Sequence, residues 1–161
     1  MKKNKRQIKA WLWFFMITLF LSGATVIPAN AELSFILKHL SKDSSLAIFL
    51  AHIENGVSKT QDQFPFLFYG YDWLAFAHFV LAILFIGPLR DPVRNKWVIE
   101  FGMIACMLII PFAMIAGYYR GIPFWWRLID CSFGIIGIIP LYICYAKIQA
   151  LELSQNKIAY Q

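Results

Sequence analysis

The stretch at residues 97–145, WVIEFGMIACMLIIPFAMIAGYYRGIPFWWRLIDCSFGIIGIIPLYICY, contains two long apolar segments with a short break between them. The segments cover about 97–119 and 124–145. Each is close to the roughly 20 residues that an α-helix needs to cross the hydrocarbon core of a bilayer. Because backbone polar groups in lipid must be bonded within their own segment, both are predicted to be helices. The break is so short that the two helices are expected to run antiparallel.

Two further apolar segments, at about 10–27 and 71–89, complete a set of four. The composition agrees with a membrane protein, since 60% of the 161 residues are hydrophobic and only 15% are charged. A soluble domain of this length would need a more polar surface. The sequence therefore predicts a single all-α membrane domain at 1–161, a polytopic protein with four transmembrane helices in an antiparallel bundle. Three cysteines lie in apolar segments without a CxxC spacing and are predicted to be small core residues: Cys106, Cys131 and Cys144.

The first apolar segment has two interpretations. Residues 1–9 are basic, and Ala29 and Ala31 form an A-x-A pattern, as at the cleavage site of a secretory signal peptide. The apolar run of about 18 residues is longer than the roughly 7–15 of a signal peptide, which favours an uncleaved anchor. Both interpretations place the chain from residue 32 onward on the outer side of the membrane.

Lysine and arginine are unevenly distributed over the two sides of the membrane. Of the 15, ten lie on the side that holds both termini and the loop at 90–96, and five lie on the other side. The positive-inside rule puts the first side in the cytoplasm. We therefore expect a multi-pass membrane protein with cytoplasmic N- and C-termini. Topology and anionic lipids then explain the net charge of +6, and no nucleic-acid partner is expected.

Residues 28–70 form a predicted outer loop that is too long to be a simple turn. Within it, a helical repeat of apolar residues follows Asp43 and Ser44, which supply capping side chains; the repeat consists of Leu46, Phe49, Leu50, Ile53 and Val57. The repeat predicts an amphipathic helix that lies on the outer leaflet or caps the bundle. Tyr69, Tyr71 and Trp73 then mark the membrane interface where the second span begins.

Five ionisable residues near the outer ends of the second and fourth segments are the candidate ligand-binding residues: Asp72, His78, Arg120, Arg127 and Asp130. Asp72 and His78 share an arc of about 120° with small residues such as Ala75, which let another helix approach closely. Arg127 lies on one face with Asp130 and, deeper in the segment, with glycines. We expect the two faces to meet, so that the charged groups face one another and a wet outer vestibule.

The sequence leaves three interpretations of these residues open. Arg127 and Asp130, three positions apart, can form an ion pair that only stabilises the fourth helix. The arginines can instead line a pocket for an anionic lipid head group, because a guanidinium offers a charged, planar set of donors. Asp72 and His78 can also act as an acid–base pair, and ionisable residues within a membrane are by default candidate functional sites.

The sequence lacks the short motifs that would indicate a metal-dependent or serine hydrolase. The sequence has three histidines and neither an H-E-x-x-H nor a G-x-S-x-G motif, so we expect no metal site and no cofactor. The leading hypothesis is a non-enzymatic membrane protein that binds a lipid head group, or a membrane protein partner, at its outer face. The alternatives are a membrane enzyme that uses the Asp/His/Arg cluster at the outer ends of the second and fourth helices, and a small transporter subunit.

Three stretches resemble a family of small bacterial inner-membrane proteins of uncharacterised activity: FLFYGYDWLAFAHF (66–79, with Phe66 first), FIGPLRDPVRNKWVIEFGMIAC (85–106) and RGIPFWWRLIDCSFGIIGIIPL (120–141). The resemblance covers about 64–145 and implies an inner-membrane location but no activity. It also implies that the first segment is kept as an anchor. A shorter resemblance is to VanZ-type membrane proteins, which also place an aspartate before a glycine-rich apolar run, as at 130–137.

Overall fold

The computed structural model describes the backbone of residues 2–159 and the side chains of residues 3–154. Within them the structure is all-helical: α1 (Lys2–Val26), α2 (Ala29–His39), α3 (Ser45–Gln63), a short 3₁₀ helix (Pro65–Phe68), α4 (Tyr69–Leu84), α5 (Ile86–Arg90), α6 (Lys96–Tyr119) and α7 (Phe124–Ala159). Four helical stretches are long and apolar enough to cross a membrane: Lys3–Val26, Pro65–Arg90, Lys96–Tyr119 and Phe124–Ser154. The predicted all-α class is therefore confirmed, and each predicted span corresponds to a helix of sufficient length and apolarity.

The contacts divide the chain into two compact units. The first, here called the terminal unit, combines Met1–Ile17 with Ile83–Gln161. The second, the central unit, is Thr18–Ala82. Helices α1 and α4 each contribute to both units. That all four spans form one antiparallel bundle within a single domain stays a prediction.

In the terminal unit, α6 and α7 pack side by side in opposite directions. Near the middle of the pair, Gly134 lies so close to the carbonyl oxygen of Cys106 that a β-carbon at this position would collide with it. Towards the start of α6, Gly102 lies against Leu141 of α7 in the same way. The contact positions advance along α6 as they recede along α7, so these two helices form the expected antiparallel pair.

The beginning of α1 packs along the end of α7. Lys147 donates a hydrogen bond of 2.8 Å to the side-chain oxygen of Gln7, and the thiol of Cys144 lies 3.7 Å from the carbonyl oxygen of Ile8. At the same end of the unit, Lys96 forms a 3.1 Å salt bridge with Glu152 of α7. The basic N-terminal segment, the 90–96 loop and the later part of α7 thus lie at one end of the terminal unit, and the 120–123 turn lies at the other.

The core of the terminal unit is apolar and includes the cysteines. Its fully buried side chains come from α1, α6, α7 and the segment around α5: Ile8, Leu12, Phe85, Val98, Ile99, Leu141, Cys144, Ile148 and Leu151. All three cysteines are buried and reduced, as their apolar sequence context predicts. The N-terminal residues therefore belong to a packed core, although their sequence also resembles a signal peptide.

In the central unit, α2 and α3 form an antiparallel hairpin. Ser34 donates a hydrogen bond to Glu54, and Asn30 donates one to Gln61, so polar side chains connect the two helices at two levels. The predicted cap of α3 is confirmed, because the hydroxyl of Ser44 accepts a 3.1 Å hydrogen bond from the backbone N–H of Ala47. The predicted apolar face of α3 is buried or half-buried, while its opposite face is exposed.

Helix α2 is not among the elements predicted from the sequence. From the sequence, residues 28–44 were placed in the outer loop without an assigned element, whereas residues 29–39 are helical. Helix signals are nevertheless present, since Pro28 precedes the first turn, Glu32 lies within that turn, and Lys38 and His39 lie in the last one. The segment is short, and its inward positions include two polar residues, Asn30 and Ser34, that bond to α3.

Candidate functional site

The five candidate residues are divided between the two units. Asp72 and His78 belong to α4 and to the central unit, whereas Arg120, Arg127 and Asp130 surround the α6–α7 turn in the terminal unit. Each group has its own contacts within its own unit. That all five line one shared vestibule stays a prediction.

A tight helix end positions Arg120. The backbone N–H of Ile122 bonds to the carbonyl of Gly117 at 2.9 Å, and that of Gly121 bonds to the carbonyl of Tyr118 at 3.2 Å. This is a Schellman ending, and Gly121 supplies the positive φ of 67° that it requires. Arg120 is the last residue before this turn, and its side chain is exposed.

Arg127 lies across the gap between α7 and α6. The absence of a side chain at Gly117 makes room for it, since a β-carbon there would be only 2.5 Å from Cδ of Arg127. Beyond this point, Nη1 donates a long hydrogen bond of 3.4 Å to the carbonyl of Met114, and the guanidinium carbon lies 5.4 Å from the ring centre of Phe124. The cation–π geometry is within the range that attracts a guanidinium to an aromatic face.

The guanidinium of Arg127 is incompletely paired. Its Nε is buried and has no hydrogen-bond partner in the part of the chain that the structure describes. Within the same residues, the salt bridge found is the one between Lys96 and Glu152, far along α6 and α7 from Arg127. A half-buried cation is thus held against a carbonyl and an aromatic ring without a neighbouring carboxylate.

The ion pair between Arg127 and Asp130 does not form, so this structural interpretation of the sequence is wrong. Both side chains are described, and no nitrogen–oxygen pair between them lies within 4.0 Å. The reason is the direction of Arg127, whose stem extends over Gly117 towards α6 rather than along its own helix. Asp130 lies half-buried one turn further along α7.

His78 makes a local hydrogen bond within α4. Its Nδ1 lies 2.8 Å from the carbonyl oxygen of Leu74, and because a carbonyl only accepts, Nδ1 carries the proton in this bond. Its β-carbon lies against Gly23 of α1, and Phe79 packs its ring at 4.7 Å from that of Phe20. Within the central unit, the helix that approaches this small-residue face of α4 is α1, and Ala75 is buried there; that the face also meets α7 stays a prediction.

Asp72 differs from the expectation that it faces the interior. It lies in the first turn of α4, directly after the 3₁₀ helix, and its side chain is exposed. Six residues separate it from His78, which is about 9 Å along a helix, and the two described side chains share no hydrogen bond. The acid–base pair considered from the sequence is therefore not assembled within α4.

The surroundings of Arg127 were not predicted from the sequence, although the residue itself was. Gly117, the Met114 carbonyl and Phe124 fix its position, and each depends on the register between α6 and α7. In an antiparallel helix pair, the residue numbers of two facing positions add up to nearly the same value along the whole pair. With a four-residue turn at 120–123, this rule could have placed Gly117 opposite Arg127. Among the described residues, no group of three or more His, Cys, Asp or Glu side chains is arranged to hold a metal ion.

Comparisons with protein-family models, with curated proteins and with solved structures found no match to this chain. The resemblance to small bacterial inner-membrane proteins, with its shorter VanZ-type part, therefore stays a prediction. Any function has to be inferred from the geometry of the residues themselves.

Proposed function

We propose that the protein is a non-enzymatic, multi-pass protein of the bacterial inner membrane that binds the phosphate of a lipid head group at its outer face through Arg127. In this proposal the four spans cross the membrane in alternating directions, both termini are cytoplasmic, and the α6–α7 turn is outside. The observation that carries the proposal is the half-buried guanidinium of Arg127, which has no carboxylate partner among the described residues.

The distribution of charge in the terminal unit supports this orientation. The basic N-terminal segment, the 90–96 loop and Lys147 lie at the same end of the unit, as the contacts of Gln7 with Lys147 and of Lys96 with Glu152 require. The opposite end carries Arg120 and Arg127. Under the positive-inside rule, the end with more lysine and arginine is cytoplasmic.

The depth of Arg127 fits a phosphate ligand. Met114, whose carbonyl accepts from Arg127, comes eighteen residues after Lys96 on α6, which corresponds to about 27 Å along a helix. A hydrocarbon core is about 30 Å thick, so with Lys96 at the inner boundary the guanidinium lies near the outer one. Lipid phosphates are located just beyond that boundary.

The guanidinium of Arg127 is partly removed from water and has no carboxylate partner among the described residues, and this favours binding of a phosphate. A charge taken out of water without a partner is costly, and in proteins such charges are normally paired and hydrogen-bonded. A phosphate presents several acceptor oxygens that match the fork of a guanidinium. Arg120 is exposed at the same turn and adds a second cation at the level of the head groups.

Exposed aromatic residues beside the turn support the same placement. Tyr118, Tyr119 and Phe124 are 71%, 80% and 59% exposed, which is unusual for such large rings unless lipid covers them. Tyrosines in particular concentrate at the boundary between hydrocarbon and head groups. These rings therefore favour a turn that lies at the head-group level, with Arg127 just beneath it.

The proposal is tested by purifying the protein with its native lipids and measuring retained phospholipid by mass spectrometry. Arg127→Gln removes the charge and is expected to lower retention by roughly tenfold to a hundredfold, since hydrogen bonds to charged groups contribute about 1.5–3 kcal/mol. Arg94→Gln, which removes one exposed arginine at the other end of the unit, is the matched control and should leave retention unchanged.

Two outcomes decide against this function. Arg127→Gln that melts as the wild type does and retains the same lipids would contradict it. Loss of a co-purifying membrane protein with unchanged lipid would assign Arg127 to a protein partner instead. Should Arg127→Gln fail to fold, Arg127→Lys keeps the charge and the stem but loses the fork, and it is expected to retain only part of the lipid.

A further inference from the structure

The two outer faces of the α2–α3 hairpin differ in chemistry. On α3, most residues opposite the buried Leu50 are polar and exposed, and they include His52, Asn55 and Lys59; Ile48, near the start of the helix, is an apolar exception that is 63% exposed. This face is suited to water. It is the side of the hairpin that points away from α2, because Glu54 and Gln61 on the other side bond to α2.

The outer face of α2 carries two large apolar side chains beside Glu32. Asn30 and Ser34 bond to α3, so the opposite side of α2 points away from the hairpin. That side carries Phe35 and Ile36, whose side chains are 65% and 43% exposed. A shallow cavity of about 360 Å³ opens on the same face, and it is lined by Ala31, Glu32, Phe35 and Ile36.

Short connections hold the hairpin close to the membrane. Two residues, 27 and 28, separate the end of α1 from the start of α2, and Phe64 alone separates α3 from the candidate span Pro65–Arg90. Two residues of extended chain reach about 7 Å at most. Wherever α1 and the 65–90 span leave the bilayer, the end of the hairpin at which α2 begins and α3 ends must therefore lie close to its surface.

We propose that the hairpin lies flat on the bilayer, with Phe35 and Ile36 of α2 inserted at the boundary between head groups and acyl chains and with α3 on the aqueous side. The occupant of the apolar face is thus lipid, in continuity with the lipid-facing surface of the adjoining spans. Lys42 is exposed in the turn that follows α2, where an ammonium group on a flexible stem reaches lipid phosphates. The contact does not depend on Arg127, so it is independent of the phosphate-binding function proposed for that residue.

Site-directed spin labelling tests the placement in vesicles of phosphatidylethanolamine and phosphatidylglycerol. Phe35→Cys carries the label on the proposed lipid side, and Asn55→Cys carries it on the proposed water side as the matched control. The three native cysteines are buried, so the wild-type protein serves as the unlabelled background. Collision with molecular oxygen reports lipid, and collision with a water-soluble nickel complex reports water.

We expect the ratio of oxygen to nickel collisions to be severalfold higher at position 35 than at position 55. Equal access of the nickel complex to both positions would show that α2 is in water and would overturn the proposal. Protection of position 35 from both reagents would also overturn it, because a protein surface would then cover α2. Ile36→Cys repeats the measurement if Phe35→Cys does not fold.

Discussion

The position of Arg127 depends on a residue that has no side chain. Gly117 leaves the space in which the stem of Arg127 crosses to α6, and the Met114 carbonyl then receives Nη1. A larger residue at 117 would force the arginine out towards lipid or back along α7 towards Asp130. The proposed phosphate site is therefore a property of the pair of helices rather than of Arg127 alone.

Gly117→Ala is expected to reduce lipid retention without changing helical content. Its β-carbon would lie 2.5 Å from Cδ and 2.6 Å from Cγ of Arg127, so the stem must move. Mass spectrometry of retained lipids and circular dichroism measure the two effects. Gly56→Ala is the control, since a β-carbon there meets nothing within 4 Å and a helix gains about 1 kcal/mol from the exchange.

A Gly117→Ala protein with normal retention would mean that the crossing of Arg127 over α6 does not matter for binding. If Gly117→Ala lowered both lipid retention and helical content, the variant would have a folding defect. It would then give no support to a phosphate site that depends on Gly117. The Gly56→Ala control separates both results from the general effect of adding a methyl group to a helix.

At the residue scale, the sequence predicted the burial of small apolar residues better than it predicted the partners of charged ones. Spacing along one helix made Asp130 the natural neighbour of Arg127. That prediction is wrong because Gly117 leaves a space on α6 that the stem of Arg127 fills instead. The positions of Ala75 and the cysteines were predicted correctly, since burial of small and apolar residues follows from periodicity alone.

At the element scale, long apolar helices were predictable because a bilayer sets their length and leaves the backbone no other way to bond. Their ends were less predictable. Helix α1 starts at Lys2 rather than near residue 10, and α7 continues to Ala159 rather than ending near 145. The described parts of both extensions bury apolar side chains in one core, Ile8 from α1 and Ile148 and Leu151 from α7. The hydropathy of one segment taken alone holds no information about that contact.

The first helix is expected to remain part of the mature protein. Ile8 and Leu12 are fully buried in the terminal unit, and removal of residues 1–31 would expose the core residues Cys144 and Ile148 of α7. The intact mass of the purified protein measures this directly. A mass that corresponds to a chain starting at Glu32 would show cleavage at the A-x-A pattern and would leave three spans.

At the scale of the whole molecule, the orientation proposed from charge can be measured by cysteine labelling in intact cells. Asn55→Cys on α3 should react with a membrane-impermeant maleimide, whereas Val93→Cys in the loop between α5 and α6 should react only after the membrane is opened. The buried native cysteines give little background. Labelling of position 93 from outside would overturn the topology and, with it, the outer location of Arg127.

The contact between α1 and α7 has a consequence for biosynthesis. Gln7 and Lys147 are 140 positions apart, so the first helix to leave the ribosome must wait for the last before either can bury its apolar face. Until then, lipid or the insertion machinery has to cover Ile8 and Leu12. Contacts between residues far apart in the chain form slowly, and chains that wait for them are prone to misassembly. A nascent chain that stalls before Cys144 therefore carries an anchored but unpaired first helix, a form that a quality-control protease of the membrane can distinguish from the finished protein.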